Sequence, residues 1–166
     1  AARWGMPELL PEGADIRAAA AAAFLPKSGT ILDVGSGALE LRKHIDPACG
    51  YAPIDLTPTA KQTIVMDLNR GHFPDGSCAA IAALHLLPYI HDVNALLTRL
   101  RRASGLLVLT YPVWNEGDDR RSRRAKGFFN DMTADALTER LKATGWSVRT
   151  TSKAGDDLLL VCEGTD

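Results

Sequence analysis

The sequence has no long hydrophobic run and no surplus of either charge. Its 166 residues include 19 Lys and Arg against 20 Asp and Glu, which gives a net charge of −1. No stretch of about 18 uninterrupted apolar residues exists, so a membrane-spanning helix is excluded. Nucleic-acid binding through bulk positive charge is excluded as well. With 46% hydrophobic and 23% charged residues, the composition fits one soluble globular domain.

Cysteine is also scarce. Cys49, Cys78 and Cys162 are odd in number, lie far apart and form no CxxC pair, which argues against a disulfide scaffold or a zinc site. The four histidines lack metal-ligand spacing, so we expect no metal site. The alanine run at 18–23 is not a signal peptide, because charged residues precede it and no cleavage-site context follows. Together these features indicate a cytoplasmic protein.

What the sequence does have is a series of short apolar runs that alternate with helical patterns. This alternation predicts an α/β fold, a doubly wound, Rossmann-like, mostly parallel sheet of about seven strands. The last two strands have only a turn between them, which predicts an antiparallel final pair. The predicted strands are 30–34, 51–54, 63–66, 77–84, 106–111, 146–151 and 158–163. The predicted helices are 14–25, 38–45, one capped by Asp92, and one from Thr133 to Ala143.

We expect a single domain over residues 1–166. Residues 1–27 would form an irregular N-terminal arm, punctuated by proline and glycine, followed by a packing helix. Residues 28–166 would form the core. The connection 56–62 is too short for a usual crossover helix, so a loop or one turn is expected there. Segment 112–131 shows no helical or strand pattern and is predicted to be a long loop.

The most informative segment is 31–41, with the letters ILDVGSGALEL. A strand runs into Gly35-Ser36-Gly37 and is expected to enter a helix directly. Glycines there allow a sharp turn and a close approach of the backbone to a ligand. Asp55 ends the next strand, where a carboxylate can accept hydrogen bonds from ribose hydroxyls. The dinucleotide pattern GxGxxG fails because Glu40 stands at its third glycine, and no GxxxxGK[ST] loop exists. A ligand with ribose and adenine but no phosphate suits the pattern better.

On these residues the chain resembles the class I S-adenosylmethionine-dependent methyltransferases, of the type 11-like kind. Their first motif, an acid followed by GxGxG, corresponds to segment 33–39, with Leu39 in place of the third glycine. The phrase FPDGSCAAIAALHLLPYI at 73–90 is similar to the family's loop and fourth strand. Cys78-Ala79 replaces the Phe-Asp of that phrase, and Tyr89 replaces its second histidine.

The resemblance implies S-adenosylmethionine as cofactor and a role for each matched residue. Asp33 would lie near the methionine amino group, and Gly35, Ser36 and Gly37 would cradle the methionine moiety. Asp55 would bind the ribose and Asp67 the adenine amino group. Leu56 and Leu68, each just after an acid, would sandwich the adenine, although both also suit the core. Asp55 could equally cap a strand end, and Asp67 could open a turn.

Two residues are candidates for catalysis. His85 matches the family's histidine after the fourth strand, and it would line the cofactor pocket, act as a general base or simply pack in the core. Tyr89 is a second candidate for steering the acceptor. A base is useful if the acceptor is a hydroxyl whose proton must leave. A nucleophilic acceptor would need only in-line placement.

Segment 112–131 supplies the candidate acceptor-binding residues Trp114, Asn115, Arg120 and Arg121. The run 120–126 carries five basic residues. It is either a solvated charge run or a grip for a phosphate or carboxylate on the acceptor.

The sequence favours methyl transfer to a small-molecule or sugar-like acceptor, because no extra substrate domain is present, and a loose similarity indicates a bacterial enzyme. One alternative is an RNA or protein methyltransferase that uses the arginine run. Another is a non-catalytic sensor or complex subunit. RNA has little support, since no stacking aromatics accompany the arginines. The sequence predicts no membrane partner and leaves the oligomeric state open.

Overall fold

The structure, a computed structural model, describes residues 12–166, and its main feature is one seven-stranded sheet. The spatial order is β3-β2-β1-β4-β5-β7-β6. Neighbours from β3 to β5 are parallel, whereas β7 is antiparallel to both β5 and β6. The predicted Rossmann-like fold with an antiparallel final pair is therefore confirmed. The strands are β1 (Thr30–Val34), β2 (Gly50–Asp55), β3 (Ile64–Val65), β4 (Ala80–Leu84), β5 (Leu106–Tyr111), β6 (Trp146–Ala154) and β7 (Asp157–Gly164).

Four α-helices accompany the sheet in the described part of the chain. They are α1 (Ala14–Ala22), α2 (Val93–Ala103), α3 (Arg120–Ala125) and α4 (Ala134–Ala143). Three short 3₁₀ turns, Glu40–Lys43, Leu68–Arg70 and Leu87–Tyr89, lie in connections between strands. Within residues 12–166, no helix is long and apolar enough to cross a membrane.

The core has two layers because successive residues of a strand face opposite sides of the sheet. In β1, Ile31 packs on the side covered by α1, whereas Leu32 packs on the side covered by α2 and α4. The α2 layer contains Leu96, Leu97 and Leu100, all fully buried. Strands covered on both faces account for the nearly continuous apolar sequence of β1, β4 and β5.

Helices α2 and α4 begin where the sequence predicts. The Asp92 side chain accepts from the main chain of Ala95, and that of Thr133 accepts from Ala136. Each cap satisfies an N–H group that lacks a partner at a helix start. Trp146, at the start of β6, donates from Nε1 to the carbonyl of Leu97 and so ties the last hairpin to α2.

The helix predicted at 38–45 is wrong, because only the 3₁₀ turn Glu40–Lys43 forms there. Leu39 adopts a left-handed conformation (φ 64°, ψ 30°), which interrupts any helix running from the glycine turn. The glycine turn therefore does not end in an α-helix N-terminus that could bind an anion.

Other boundaries also differ. Helix α1 ends at Ala22 rather than at 25, and β4 begins at Ala80 rather than at 77. The predicted loop 112–131 contains the short helix α3. The crossover between β2 and β3 is a loop, as its length predicts. Most of the predicted N-terminal arm, residues 1–11, lies outside the described residues.

Candidate functional site

The principal cleft opens at the carboxyl ends of β1, β2 and β4 and has a volume of about 1000 Å³, including its solvent-open mouth. Ligands bind in this position in open α/β sheets, where the strand order reverses. Its walls come from the glycine turn after β1, the residues that follow β2, segments 66–69 and 84–90, and helix α1. All of the predicted cofactor residues line this cleft.

The glycine turn is held by main-chain bonds to β2. The nitrogens of Gly35 and Ser36 both donate to the carbonyl of Ile54, at 2.8 and 3.0 Å. The nitrogen of Gly37 donates to Oδ2 of Asp55 at 2.8 Å. Gly35 has φ 78°, a conformation that other residues adopt at a cost. Because these three N–H groups are used internally, the turn does not present them to a phosphate, which agrees with a ligand that carries none.

The side chain of Ser36 is the polar group in the turn that lacks a partner. Ser36 is 7% exposed and lines the cleft, and its Oγ makes no hydrogen bond to the described residues. A buried hydroxyl without a partner costs free energy, so an orphan of this kind at a cleft wall is expected where a ligand completes the site. Together with the carboxylates around it, this hydroxyl fits a ligand that carries amino and hydroxyl groups.

Asp33 is buried beneath the glycine turn, and the hydroxyl of Tyr51 on β2 donates to its Oδ2. Burial raises the pKa of Asp33 to about 7, the hydrogen bond from Tyr51 opposes this rise, and the nearby charge of Asp55 adds to it. The same surroundings raise the pKa of the Tyr51 phenol, chiefly through burial and then through the charge of Asp33. Asp33 therefore titrates near neutral pH at the wall of the cleft.

Asp55 ends β2 and is 7% exposed. Its Oδ2 accepts from Gly37, and its Oδ1 accepts from the main chain of Thr57 at 3.1 Å. Each carboxylate oxygen can accept two hydrogen bonds. One acceptor position therefore remains on each oxygen for ligand hydroxyls, in addition to the structural role in the turn.

Asp67 lines the cleft and also opens a turn, as its alternative interpretation predicts. Its Oδ1 accepts from the main chain of Asn69 at 3.0 Å, and its Oδ2 lies 3.4 Å from Nε of Arg70. Of the two leucines predicted to flank the adenine, Leu56 is 45% exposed on the cleft wall, whereas Leu68 lines the cleft but is 8% exposed and packs in the core.

His85 follows β4, lines the cleft and has a left-handed backbone (φ 55°). Its main-chain nitrogen donates to both the carbonyl and Oγ1 of Thr110 on β5, at 3.1 and 2.9 Å. Its Nδ1 lies 2.7 Å from Oδ2 of Asp157. Tyr89 also lines the cleft. Phe128 packs edge-on against both rings at 5.5 Å between centroids, so the two catalytic candidates share one aromatic cluster.

Sequence reasoning missed two residues of this region, Asp157 and Arg17. Asp157 is 2% exposed and begins β7, and Nε of Arg17 on α1 lies 3.9 Å from its Oδ2. Arg17 itself lines the cleft. One signal was available for Asp157, because an antiparallel last strand must begin at the edge where the parallel strands end.

The four predicted acceptor residues of segment 112–131 do not belong to the cleft wall. Trp114 is partly buried beneath the guanidinium of Arg120, which lies 4.8 Å from its ring centroid. Asn115 and Arg121 are exposed. Their roles in acceptor binding stay predictions.

Two further arginines of the run, Arg123 and Arg124, bind a carboxylate of the same loop. Arg123 is 8% exposed, with Nε 2.7 Å from Oδ1 of Asp131 and Nη1 2.8 Å from the carbonyl of Pro112. Arg124 donates to both oxygens of the same carboxylate, at 3.0 and 2.7 Å. These hydrogen bonds lower the pKa of Asp131, that from Arg124 most strongly. Most of this charge therefore serves the loop's own structure.

The comparison with known families agrees with this geometry. Residues 9–151 match the family model described as a methyltransferase domain. The chain belongs to this methyltransferase family. The predicted resemblance to class I S-adenosylmethionine-dependent methyltransferases is confirmed. Two of the solved structures that share its fold contain S-adenosylhomocysteine, the demethylated product of S-adenosylmethionine. No curated protein matches the sequence.

Solved methyltransferase structures share the fold at low identity. A chain of the complex between the Haloferax volcanii Trm112 methyltransferase activator and a methyltransferase superposes with a TM-score of 0.75 and 13% identity, over 91% of this chain and 90% of that one. Magnesium protoporphyrin IX methyltransferase from Synechocystis PCC 6803, with bound S-adenosylhomocysteine, gives 0.71 and 15%, over 92% and 84%. The 1,6-didemethyltoxoflavin-N1-methyltransferase of Burkholderia thailandensis, also with S-adenosylhomocysteine, gives 0.69 and 15%, over 93% and 80%.

At such identities the likeness shows the fold alone. This chain also spans only 53–55% of the length of several other matching chains. The acceptor of this chain must therefore be inferred from the residues that line its own cleft.

Proposed function

We propose that this protein transfers a methyl group from S-adenosylmethionine to a small-molecule acceptor. The observation that carries the proposal is the convergence of a partnerless Ser36 hydroxyl and the carboxylates of Asp33, Asp55 and Asp67 in one cleft. These groups match a ligand with an ammonium group, a ribose and an adenine amino group. The internally bonded glycine turn suits its lack of phosphate.

Each part of the cofactor has a partner in this proposal. Ser36, with the flanking glycines Gly35 and Gly37, holds the methionine moiety, and Asp33 faces its ammonium group. Asp55 accepts from the ribose hydroxyls with its remaining acceptor positions. Asp67 accepts from the adenine amino group, and exposed Leu56 covers the adenine face. When bound, the sulfonium supplies an electrophilic methyl group, so the chain's own task is to orient the acceptor and exclude water.

We place the acceptor beside His85 and Tyr89 on the cleft wall, where both rings pack against the buried Phe128. Aromatic walls with few polar groups are typical of sites for small organic molecules. Two structural neighbours are named for toxoflavin-precursor and magnesium-protoporphyrin substrates, which supports an acceptor of that general size. The RNA alternative has less support, since Arg123 and Arg124 are engaged by Asp131.

A non-catalytic role in a complex is the second candidate, because one structural neighbour was solved with the Trm112 activator. Both candidates require the cofactor, so turnover separates them. The experiment incubates the protein with methyl-labelled S-adenosylmethionine and, separately, phenols, carboxylic acids, amines and bulk RNA. We expect label in a small molecule and release of S-adenosylhomocysteine, both lost in Asp55→Ala. Labelled RNA would support the first alternative. Cofactor binding without labelling of any class would contradict the proposed turnover and support the non-catalytic role.

A further inference from the structure

Asp157 lies behind His85, seen from the cleft. The His85 side chain is 10% exposed and that of Asp157 is 3% exposed, and only His85 belongs to the cleft wall. Strand β7 runs antiparallel to β5, so its first residue lies at the edge where β4 and β5 end. The topology thus brings a carboxylate to the histidine from 72 positions away in the sequence.

Two strands hold His85 in place. Thr110 on β5 accepts twice from its main-chain nitrogen, and Asp157 on β7 accepts from its ring. A left-handed backbone is uncommon at a residue other than glycine and persists only where the surroundings enforce it. The side chain of His85 lines the cleft. Strained backbone of this kind is concentrated at functional sites.

The carboxylate also determines which ring nitrogen carries the proton. An ionised carboxylate can only accept, so Nδ1 of His85 must donate, and in the neutral ring Nε2 then carries the lone pair. Arg17 lies 3.9 Å from the same carboxylate oxygen and offsets its charge in these buried surroundings. The arrangement leaves an unprotonated Nε2 as the ring nitrogen that Asp157 does not engage, on a residue that lines the cleft.

We propose that Asp157 is a positioning residue that makes His85 the base for a hydroxyl-bearing acceptor, an inference that rests on the proposed function. In the transfer, the acceptor oxygen bonds to the methyl carbon as the carbon–sulfur bond breaks, and that electron pair stays on sulfur. The acceptor proton moves to Nε2 of His85. The products are a methyl ether, S-adenosylhomocysteine and an imidazolium paired with Asp157, and the imidazolium then releases its proton to water.

The alternative is a purely structural bond that fastens β7 to the end of β4. A structural bond makes no demand on the acceptor, whereas a base favours acceptors that cannot ionise by themselves. Amine acceptors that are already nucleophilic would gain nothing from the pair. The two interpretations therefore differ in acceptor chemistry and can be separated.

The first test is ¹⁵N NMR of histidine-labelled full chain at pH 8, with the His85 signals assigned from their absence in His85→Gln. We expect the Nδ1-protonated tautomer in the wild type and its loss both in Asp157→Asn, whose amide can donate to Nδ1, and in Asp157→Ala. S-adenosylhomocysteine affinity should stay within about twofold in both variants, because Asp157 does not line the cleft. A wild-type His85 protonated at Nε2 would overturn the inference whether or not the protein binds the cofactor.

The second test measures methyl transfer from S-adenosylmethionine to phenols of graded acidity. Asp157→Ala should lower kcat about 100-fold for phenol, within the range expected for loss of a general base. It should lower kcat little for 4-nitrophenol, which is already ionised at pH 8. An equal loss for both phenols would show a structural role only. Turnover of amines but of no phenol would overturn the hydroxyl assignment, and failure of S-adenosylhomocysteine to bind the wild type would instead reject the proposed function.

Discussion

The main-chain nitrogen of Gly37 donates to Oδ2 of Asp55 over 2.8 Å, so the residue expected to bind the ribose also closes the glycine turn. Asp55→Ala removes both contributions. We expect S-adenosylhomocysteine binding to weaken by about 1–3 kcal/mol, roughly 5- to 150-fold, since hydrogen bonds to a charged group are lost. Isothermal titration calorimetry measures this change. Asp75→Ala, at an exposed aspartate outside the cleft wall, is the matched control and should bind like the wild type. Equal affinities for all three proteins would contradict the role of Asp55.

Asp33 predicts a pH dependence of both stability and binding. Its pKa in the folded chain is about 7, above the ordinary 3.8, mainly because it is buried. A raised carboxyl pKa stabilises the fold fully below pH 4, and this contribution is lost as the pH rises through 7. Urea unfolding from pH 5 to 8 should therefore show a decline that is weaker in Asp33→Asn. If the decline were as steep in the variant, Asp33 would not be its source.

Ligand binding should favour the ionised form of Asp33, whereas folding without ligand favours its protonated form. An ammonium group binds the ionised carboxylate, so S-adenosylhomocysteine affinity should rise about tenfold from pH 5.5 to 7 in the wild type. Tyr51→Phe removes the hydrogen bond that lowers the pKa of Asp33, so the rise should move to higher pH. Calorimetry of the wild type and of Tyr51→Phe at several pH values tests both expectations. An affinity that does not change with pH would show that Asp33 does not bind the ammonium group of the ligand.

Leu39 stands in the left-handed region at the position of the family's third glycine. Leu39→Gly relieves about 1–2 kcal/mol of backbone strain but loses side-chain contacts and adds entropy to the unfolded chain. We expect the free energy of unfolding to stay within about 1 kcal/mol of the wild type. Leu39→Val should be clearly destabilising, because a β-branched residue tolerates this conformation poorly. Urea unfolding measures the free energy of unfolding of Leu39→Gly and Leu39→Val. Equal stability of the two variants would contradict the expected strain at this position.

Asp131 forms ion pairs with three arginines, Arg120, Arg123 and Arg124, and its side chain is 8% exposed. Asp131→Ala leaves the buried Arg123 without its carboxylate and should cost about 2–3 kcal/mol of folding free energy. Arg121→Ala, at an exposed position of helix α3, should change the folding free energy by almost nothing. Because its pKa is lowered, the Asp131 contribution is present at neutral pH and is lost as the pH falls below about 4. Thermal unfolding at pH 7 and pH 3 checks both statements.

Local signals in the sequence were sufficient for much of the fold. The caps Asp92 and Thr133, the apolar strands and the final hairpin all depend on neighbouring residues, and the structure has them as predicted. The helix at 38–45 failed because its pattern of leucines carries no information about the backbone angle of Leu39. Helix α3 was missed because its buried residue is Arg123, so no apolar period marks it.

The sequence likewise predicts one part of the site and not the other. The glycine turn, Asp55 and Asp67 follow strands in sequence, and their convergence at one sheet edge follows from parallel pairing. Asp157 reaches His85 only through an antiparallel strand that comes last in the chain, and a predicted strand beginning at 158 placed it outside the sheet. Its partner could be identified only after the register of β5 and β7 was known.

The most direct test of the account is titration calorimetry of the wild-type chain with S-adenosylmethionine and S-adenosylhomocysteine at pH 7.5. Both compounds should bind saturably at one site per chain. Their affinity should fall roughly 5- to 150-fold in Asp55→Ala and should not fall in Asp75→Ala. A folded wild-type protein that binds neither compound would contradict it.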